Sequence, residues 1–188
     1  FGNLRTLDEV IRREFKLSEG DAYSTSKLKR TEQRLNNLGY FDKVTIERKP
    51  GTAADKTQLD VEVVEKSTGE ITFGAGFSTA DGPIADFGIK ERNFLGRGQE
   101  LRTRAQVGGR REQYELGFTE PYFLDKNIAL GGDLFRRDYN SFQFTGNGNR
   151  QTTYQQVTTG FQLRMGVPIT EFWSFAARYG LSFDQVTL

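Results

Sequence analysis

The chain has 188 residues, and its 26 Lys and Arg against 25 Asp and Glu give a net charge of +1, which makes no case for a nucleic-acid partner. It contains neither Cys nor His, which excludes disulfides, thiolate metal sites and the usual general base of nucleophilic enzymes. The sequence has no run of 18 consecutive apolar residues, so it predicts no transmembrane helix. Membrane-spanning β-strands are only half apolar and stay possible.

The first third of the chain carries helix signals. Thr6-Leu-Asp-Glu9 predicts a capping box, in which the Thr6 hydroxyl accepts from the Glu9 N–H at the start of a helix. Apolar residues at helical spacing then predict one buried face: Leu7, Val10, Ile11 and Phe15. A second helix is predicted from about Ser24–Ser26 to Leu38, and Gly39 lies where a left-handed C-terminal cap belongs.

Two strands follow the helices. The segment FDKVTIERK carries Val44 and Ile46 on one face, and QLDVEVVEK alternates apolar with acidic residues, with Pro50–Lys56 as the connection. A lone hairpin is only marginally stable, so helices or a third strand must cover it. Phe1–Asn3 is expected to be the end of that third strand, in a chain that starts as a mature or excised fragment would. Residues 1–66 are therefore predicted to form a small α+β domain.

From Lys66 onward the period of the sequence changes to two, which predicts strands. The first is EITFGAGFST (Glu70–Thr79), with one apolar face of Ile71, Phe73, Ala75 and Phe77, and one nearly bare face of Thr72, Gly74, Gly76 and Ser78. Six further strands are predicted at ADFGIKER, QELRTRAQVG, QYELGFTE, IALGGDLFRRD, QVTTGFQLRMGV and WSFAARYGLSF.

Such alternation suits either a soluble sandwich or an outer-membrane barrel whose apolar face meets lipid, and three features favour the barrel: strand length, aromatic residues at strand ends and connections that alternate in character. The strands run about ten residues, the span of a tilted membrane strand. Aromatic residues gather at strand ends like two interfacial girdles: Phe94, Tyr122, Phe123, Phe172 and Trp173 in one set, and Tyr139, Phe142, Phe144 and Tyr154 in the other. Short connections carry the first set, and YNSFQFTGNGNRQTTY is predicted to be a long polar loop at the other end.

Charged residues on the inward faces are expected to pair across strands rather than to form a pore filter: Asp86, Lys90, Glu100, Arg102, Arg104, Glu115, Asp133 and Arg164. The Gly131-Gly132 pair and the GNGN segment lack the Lys-Ser/Thr context of a phosphate loop. The sequence therefore predicts no catalytic residues, no cofactor and no metal.

Several segments together resemble one family. RLNNLGYFDKV (Arg34–Val44) is similar to the helix-to-strand corner of a POTRA domain, and FGN before a helix is similar to its opening. ERNFLGRGQEL (Glu91–Leu101) and FTEPYFLDK (Phe118–Lys126) resemble the turns after the second and fourth strands in the BamA family of outer-membrane assembly factors. VEVVEKSTGEITFGAGFST resembles that family's passage from the last POTRA domain into the first barrel strand, and Glu120-Pro-Tyr-Phe departs slightly from the family's NPYF-like turn.

The resemblance implies a periplasmic POTRA domain at residues 1–66 and, at residues 67–188, about seven of sixteen antiparallel strands of an outer-membrane β-barrel. It implies a non-enzymatic role in the assembly and insertion of β-barrel proteins into the outer membrane. The upstream POTRA domains, the remaining strands and the family's Val-Arg-Gly-Phe loop are not in this chain. A two-partner secretion or translocation-and-assembly channel of the same superfamily, and a passive outer-membrane pore, therefore stay open as alternatives.

In that family the strand at Glu70–Thr79 would be one side of the barrel seam. The resemblance implies that a strand weakened by glycine opens sideways and pairs, through its backbone, with a strand of a client outer-membrane protein. The residues implied are Ile71, Thr72, Phe73, Gly74, Ala75, Gly76, Phe77 and Ser78. A second interpretation is that the glycines only relieve crowding at a bend in the barrel wall.

The other implied partners are outer-membrane lipid and the accessory lipoproteins of the assembly complex. Exposed charges of the two helices are the candidate lipoprotein contacts: Arg12, Arg13, Lys29 and Arg30. Each of them, taken singly, also fits an ordinary solvated helix face.

Overall fold

The computed structural model describes residues 1–52, 56–79, 81–144, 150–170 and 172–188, and the side chains of all of these except Phe144 and Arg150. The chain forms two compact units, residues 1–68 with 92–98, and residues 69–91 with 99–188. The sequence predicts a division at residues 66 and 67 and assigns residues 92–98 to the second part, whereas these seven residues belong to the first unit. Among the described residues, no helix is long and apolar enough to cross a membrane.

The first unit is an α+β fold of two helices and an antiparallel hairpin. Its elements are α1 (Asp8–Arg12), α2 (Thr25–Leu38), β1 (Phe41–Pro50) and β2 (Thr57–Glu65). Both predicted ends of α2 are confirmed, because the Ser24 hydroxyl accepts from the Lys27 N–H and Gly39 has a φ of 70°. The helices and the hairpin share one apolar core: Val10, Ile11, Leu35, Tyr40, Phe41, Val44 and Val63.

The start of α1 differs from the predicted capping box. The helix begins at Asp8, Leu7 is its N-cap residue, and no side chain caps it. Thr6 lies before the helix and is 3% exposed, and its hydroxyl accepts a hydrogen bond of 2.8 Å from the Asn93 amide. The capping-box prediction is wrong because this hydroxyl bonds a residue that is distant in sequence.

The first residues of the chain lie along β2. The Val63 N–H donates to the Phe1 carbonyl at 2.9 Å, and the Phe1 amino group donates to the Val61 carbonyl. Gly2 has a φ of 89°, and a Cβ there would lie 2.1 Å from the Val63 carbonyl oxygen. These are the contacts expected of the end of a third strand.

Glu65, at the end of β2, holds the segment that precedes α1. Its side chain is 8% exposed and accepts from the N–H groups of Leu4 at 3.1 Å, Arg5 at 3.0 Å and Thr6 at 2.7 Å. Desolvation alone would raise the pKa of Glu65, but the hydrogen bonds from the Thr6 hydroxyl and these N–H groups favour the ionised form. The pKa of Glu65 therefore lies below its usual value.

The second unit is one antiparallel sheet of seven strands, in which strands adjacent in sequence are adjacent in space. The strands are β3 (Gly69–Ser78), β4 (Gly82–Phe94), β5 (Gln99–Gly108), β6 (Arg111–Glu120), β7 (Ala129–Phe144), β8 (Arg150–Pro168) and β9 (Ser174–Thr187). A 3₁₀ turn at Phe123–Asp125 joins β6 to β7. All seven predicted strands are confirmed, and the last three residues of β4 lie in the first unit.

The hairpin of β7 and β8 is longer than its sequence suggests. These strands have 16 and 19 residues, and their pairing passes a bulge between Ser141 and Phe142 to reach Phe144 and Arg150. The long polar loop predicted at Tyr139–Tyr154 is therefore wrong for the described residues, and residues 145–149 lie outside them. Aromatic and β-branched residues favour strand here, and continued pairing satisfies the backbone N–H and C=O groups.

Glu65→Gln should lower the stability of the first unit by about 1–2 kcal/mol at neutral pH, because a neutral amide has one acceptor for three N–H donors. Since the native pKa of Glu65 lies below the ordinary value of about 4.3, the carboxylate stabilises fully above that value and less as pH falls through the native pKa. Amide hydrogen exchange of residues 1–68 should show a variant effect from pH 7 to about 5 that disappears in acid. An effect of constant size at low pH would contradict this.

Candidate functional site

One face of the seven-stranded sheet exposes large apolar side chains. Phe73 is 77%, Phe175 53% and Leu116 47% exposed. The same face carries further exposed apolar residues: Ile71, Phe77, Phe87, Ile89, Leu134, Leu163, Met165, Tyr179, Leu181 and Phe183. In a soluble sandwich these side chains would converge in a dry core between two sheets, and the described residues of this unit form one sheet. The arrangement suits a sheet that meets hydrocarbon.

The opposite face is held by ion pairs between strands. Asp133 on β7 binds Arg102 of β5 at 2.8 Å and Arg164 of β8 at 2.7 Å. The other pairs join Asp86 to Arg104 at 2.6 Å, Lys90 to Glu100 at 3.2 Å and Glu115 to Arg137 at 3.7 Å. The predicted pairing of all eight inward charges is confirmed.

Glycines on this face leave room for side chains that cross the sheet. Arg102 reaches over Gly117 to Asp133, and a Cβ at Gly117 would lie 2.6 Å from Asp133 Oδ1 and 3.1 Å from Arg102 Nη2. A Cβ at Gly160 would lie 2.6 Å from the ring of Phe135, which faces it from β7. Gly117 is explained by the side chains that lie over it, and Gly160 by the Phe135 ring together with the Leu181 carbonyl oxygen, which would also lie 2.6 Å from a Cβ.

The glycines of β3 lie in a different environment. A Cβ at Gly74 would be 3.7 Å from the nearest atom, the Cβ of Asp86, and a Cβ at Gly76 would meet nothing within 4 Å among the described residues. Neither glycine has a positive φ, so alanine can adopt both backbone conformations. Crowding within the described sheet therefore gives no reason for Gly76.

β3 is an edge strand, and in the part of the chain that the structure describes it pairs with β4 alone. The Arg92 N–H donates to the Thr68 carbonyl at 3.3 Å, so Thr68 and Arg92 are a hydrogen-bonded pair of the antiparallel ladder. Hydrogen-bonded and non-bonded pairs alternate, and the pairing of β3 with β4 has no shift.

The alternation decides which backbone groups of β3 face the free edge. Those of Glu70, Thr72, Gly74, Gly76 and Ser78 bond to β4. Those of Gly69, Ile71, Phe73, Ala75 and Phe77 point away from it. Of the eight residues predicted for the seam, the structure thus brings four to the free edge through their backbones. Gly69 also lies at the free edge, and this follows only from the alternation of hydrogen-bonded pairs along the ladder.

The four charges predicted as docking contacts are not equivalent. Lys29 and Arg30 are exposed on α2, and Arg12, exposed at the end of α1, lies 3.5 Å from Glu19. Arg13 follows α1, is partly buried and donates to the Arg97 carbonyl at 3.5 Å. The prediction of an exposed helix charge is therefore wrong for Arg13, because its guanidinium packs on the turn that follows β4.

The predicted girdle at the β7–β8 end is also wrong in part. The rings of Tyr139 and Tyr154 are 5.9 Å apart. Tyr139 is an even number of positions from Asp133 along β7, and Tyr154 is an even number from Arg164 along β8, so both tyrosines lie on the face that carries the ion pairs. Phe142 lies on the apolar face, with the Arg110 guanidinium 4.5 Å from its ring centre. At the opposite strand ends the exposed aromatic residues include Phe123, Phe172 and Trp173.

In the described part of the chain, no group of three His, Cys, Asp or Glu side chains could hold a metal ion. What the second unit offers is a row of backbone donors and acceptors along β3, beside an exposed apolar face. Such a row can pair with another strand.

Comparison with known sequences decides the family. The profile of the Omp85 superfamily domain matches residues 93–188, which is more than half of the chain. The chain belongs to the Omp85 superfamily. The profile of the surface antigen variable number repeat, POTRA, matches residues 1–66 of this Omp85 chain.

The curated relatives of the Omp85 chain include outer membrane protein assembly factors. It is 33% identical to BamA of Neisseria meningitidis serogroup B, over 100% of the chain and 23% of the relative, and 31% identical to BamA of Nitratidesulfovibrio vulgaris, over 96% and 22%. It is 28% identical to the chloroplastic outer envelope protein 80 of Oryza sativa, over 65% and 19%. The chain spans about a quarter of the length of the BamA relatives.

Solved structures give the same grouping. The Omp85 chain matches BamA from Haemophilus ducreyi lacking POTRA domains 1–3 with a TM-score of 0.81 and 29% identity, over 100% of this chain and 35% of that one. The fold is that of a POTRA domain followed by seven strands of a partial barrel. CdiB from Acinetobacter baumannii matches with a TM-score of 0.60 and 14% identity, over 95% and 36%, a likeness of fold alone.

Two glycine substitutions should separate the roles of the inward glycines. Gly117→Ala should lower the free energy of unfolding of the second unit by about 1–3 kcal/mol, because the methyl group displaces the Arg102–Asp133 pair. Gly76→Ala should leave it unchanged or raise it by up to about 1 kcal/mol. Urea unfolding in detergent, followed by the fluorescence of the chain's single Trp, measures both. Equal losses at the two sites would contradict the distinction.

Proposed function

We propose that this Omp85 chain acts in the assembly and insertion of β-barrel proteins into the outer membrane, with residues 1–66 in the periplasm. The observation that carries the proposal is the edge of β3, where five residues direct their backbone N–H and C=O groups away from β4. The likeness along the whole chain to proteins named outer membrane protein assembly factors supports it.

The edge and the apolar face act together in this proposal. A client strand that pairs with Ile71, Phe73, Ala75 and Phe77 satisfies its own backbone groups while its apolar side chains join the apolar face of the sheet. The main chain supplies the affinity, so clients of many sequences can pair. No covalent bond is made or broken, and the role is not enzymatic.

The glycines of β3 suit a strand that adapts to a new partner at its free edge. Gly74 and Gly76 bond to β4 through their backbones but have no side chain of their own to pack. Glycine within a strand costs roughly 0.5–1 kcal/mol relative to alanine. We infer that β3 is thereby weak enough to change its twist as a client strand binds.

A two-partner secretion channel has less support. The likeness to CdiB, at 14% identity, shows the fold and nothing finer. A passive pore also has less support, because the relatives that this chain resembles along its whole length are named assembly factors.

Phe73→Pro should abolish or strongly reduce client insertion, because proline removes an N–H that points to the free edge and keeps an apolar side chain on the lipid-facing side. β4 should remain paired, since the Phe73 N–H is not part of that ladder. The measurement is the yield of protease-protected client barrels in outer membranes that carry the variant, alongside the amount of folded variant.

Two controls bracket that result. Phe73→Ala keeps the N–H and should insert clients nearly as the wild type does, which separates the backbone from the ring. Thr72→Pro removes an N–H that bonds to β4 and should reduce the amount of folded barrel itself. Normal insertion by a folded Phe73→Pro protein would rule out client pairing at this edge.

We also propose that α2 contacts accessory lipoproteins through Lys29 and Arg30. Reversal of both charges to Glu should reduce the lipoproteins that co-purify in mild detergent at low salt, and raised salt should weaken the wild-type association in the same way. Arg12→Glu, on the other helix, tests the remaining exposed contact separately, and a loss there as well would extend the docking face to α1. Equal recovery with the Lys29 and Arg30 double variant would exclude this face.

A further inference from the structure

The turn that follows β4 is built into the first unit by a buried side chain. Asn93 is 8% exposed, its Nδ2 donates to the Thr6 hydroxyl at 2.8 Å, and its Oδ1 accepts from the Gly98 N–H at 2.7 Å. An unpaired buried amide or hydroxyl would be costly, so these two bonds define one position for the Asn93 side chain.

Backbone contacts fix the same turn against the segment before α1. The Leu7 N–H, at the cap of α1, donates to the Gly96 carbonyl at 2.9 Å. Gly96 has a φ of 74°, and a Cβ there would lie 1.9 Å from the Arg5 carbonyl oxygen, so only glycine fits this close approach. The Tyr40 hydroxyl donates to the Gly98 carbonyl at 3.4 Å.

These contacts form one continuous series inside the first unit. Glu65, at the end of β2, accepts from the Thr6 hydroxyl and N–H, and the Thr6 hydroxyl accepts from Asn93, near the end of β4. Directly beside it, the Arg92 N–H donates to the Thr68 carbonyl, which begins the pairing that β3 and β4 continue. The base of the β3–β4 hairpin is thus tied on both strands.

We infer that Thr6 and Asn93 are positioning residues for the edge strand β3. They act through β4: the buried bond fixes the end of β4, and β4 is the strand on which β3 is held. The ends of both strands, at Thr68 and Arg92, are thereby held together, so the hairpin loses less freedom when a client strand pairs. The inference rests on the proposed insertion function and names residues outside the edge itself.

The test compares Thr6→Val with Thr6→Ser. Valine has nearly the shape of threonine but no hydroxyl, and it leaves the Asn93 amide without its acceptor; serine keeps the hydroxyl. Thr6→Val should slow client insertion about tenfold and speed hydrogen exchange at the Leu7 and Gly98 amides by about the same factor. Thr6→Ser should restore both to within about twofold of the wild type.

A third variant separates positioning from loss of stability. Val44→Ala weakens the buried core of the first unit and leaves the Thr6–Asn93 bond in place. It should speed exchange across residues 1–68 with little change in insertion. If Val44→Ala slows insertion as much as Thr6→Val does, the effect follows stability and the positioning role is wrong.

Asn93→Asp tests the same bond from its other side, since it keeps the acceptor for the Gly98 N–H and loses the donor to Thr6. It should reproduce the Thr6→Val defect even where Thr6→Val folds poorly. Faster exchange at Gly98 with normal insertion in either variant would overturn the inference and leave the proposed function standing. A wild-type chain that inserts no clients would instead refute the proposed function.

Discussion

Backbone hydrogen bonding is the constraint on which the second unit depends. In hydrocarbon each unpaired N–H or C=O group costs several kcal/mol, so every strand needs a neighbour on both sides. Strands β4 to β8 meet that requirement within the described chain, and the two edge strands, β3 and β9, each meet it on one side. An edge beside an exposed apolar face is a liability for a soluble protein, and the same edge is the feature that a strand-pairing machine requires.

The inward face shows glycine in two physical situations. At Gly117 the missing side chain is replaced by Arg102, which crosses the strand and binds Asp133 on the next one, and at Gly160 it is replaced by the ring of Phe135. At Gly76 nothing in the described sheet replaces it. A glycine covered by another residue's side chain strengthens a sheet through that side chain, whereas an uncovered one leaves its strand soft. β3 therefore combines a glycine that nothing covers with a free outer edge.

Local pattern was enough to predict much of the fold. The ends of α2 follow from Ser24 and Gly39, whose cap geometry is a property of a few neighbouring residues. The seven strands follow from alternation, since one face of each avoids water. The family resemblance supplied the order of the two parts, and the whole-chain likeness to BamA agrees with it.

What the sequence could not predict depends on contacts between distant residues. The local sequence around Thr6 fits a capping box. Only the structure shows that its hydroxyl accepts from Asn93 instead of capping the helix. Alternation likewise cannot show which residues of β3 bond to β4, because the hydrogen-bond phase is set by the partner strand. Tyr139 and Tyr154 match a girdle by position along the chain, although their strand faces turn them inward.

Residues 92–98 belong to the first unit although two strands of the sheet come before the end of this segment in the chain, and this affects how the unit is completed. The apolar core of that unit is complete by Val63, so it can collapse as soon as those residues are available. The buried amide that completes the unit, Asn93, lies about thirty residues further along the chain, so its bond to Thr6 is a contact of long sequence separation. Until Asn93 and Gly96 are in place, the Thr6 hydroxyl lacks its buried donor and the Leu7 N–H lacks its acceptor, so water must take both places.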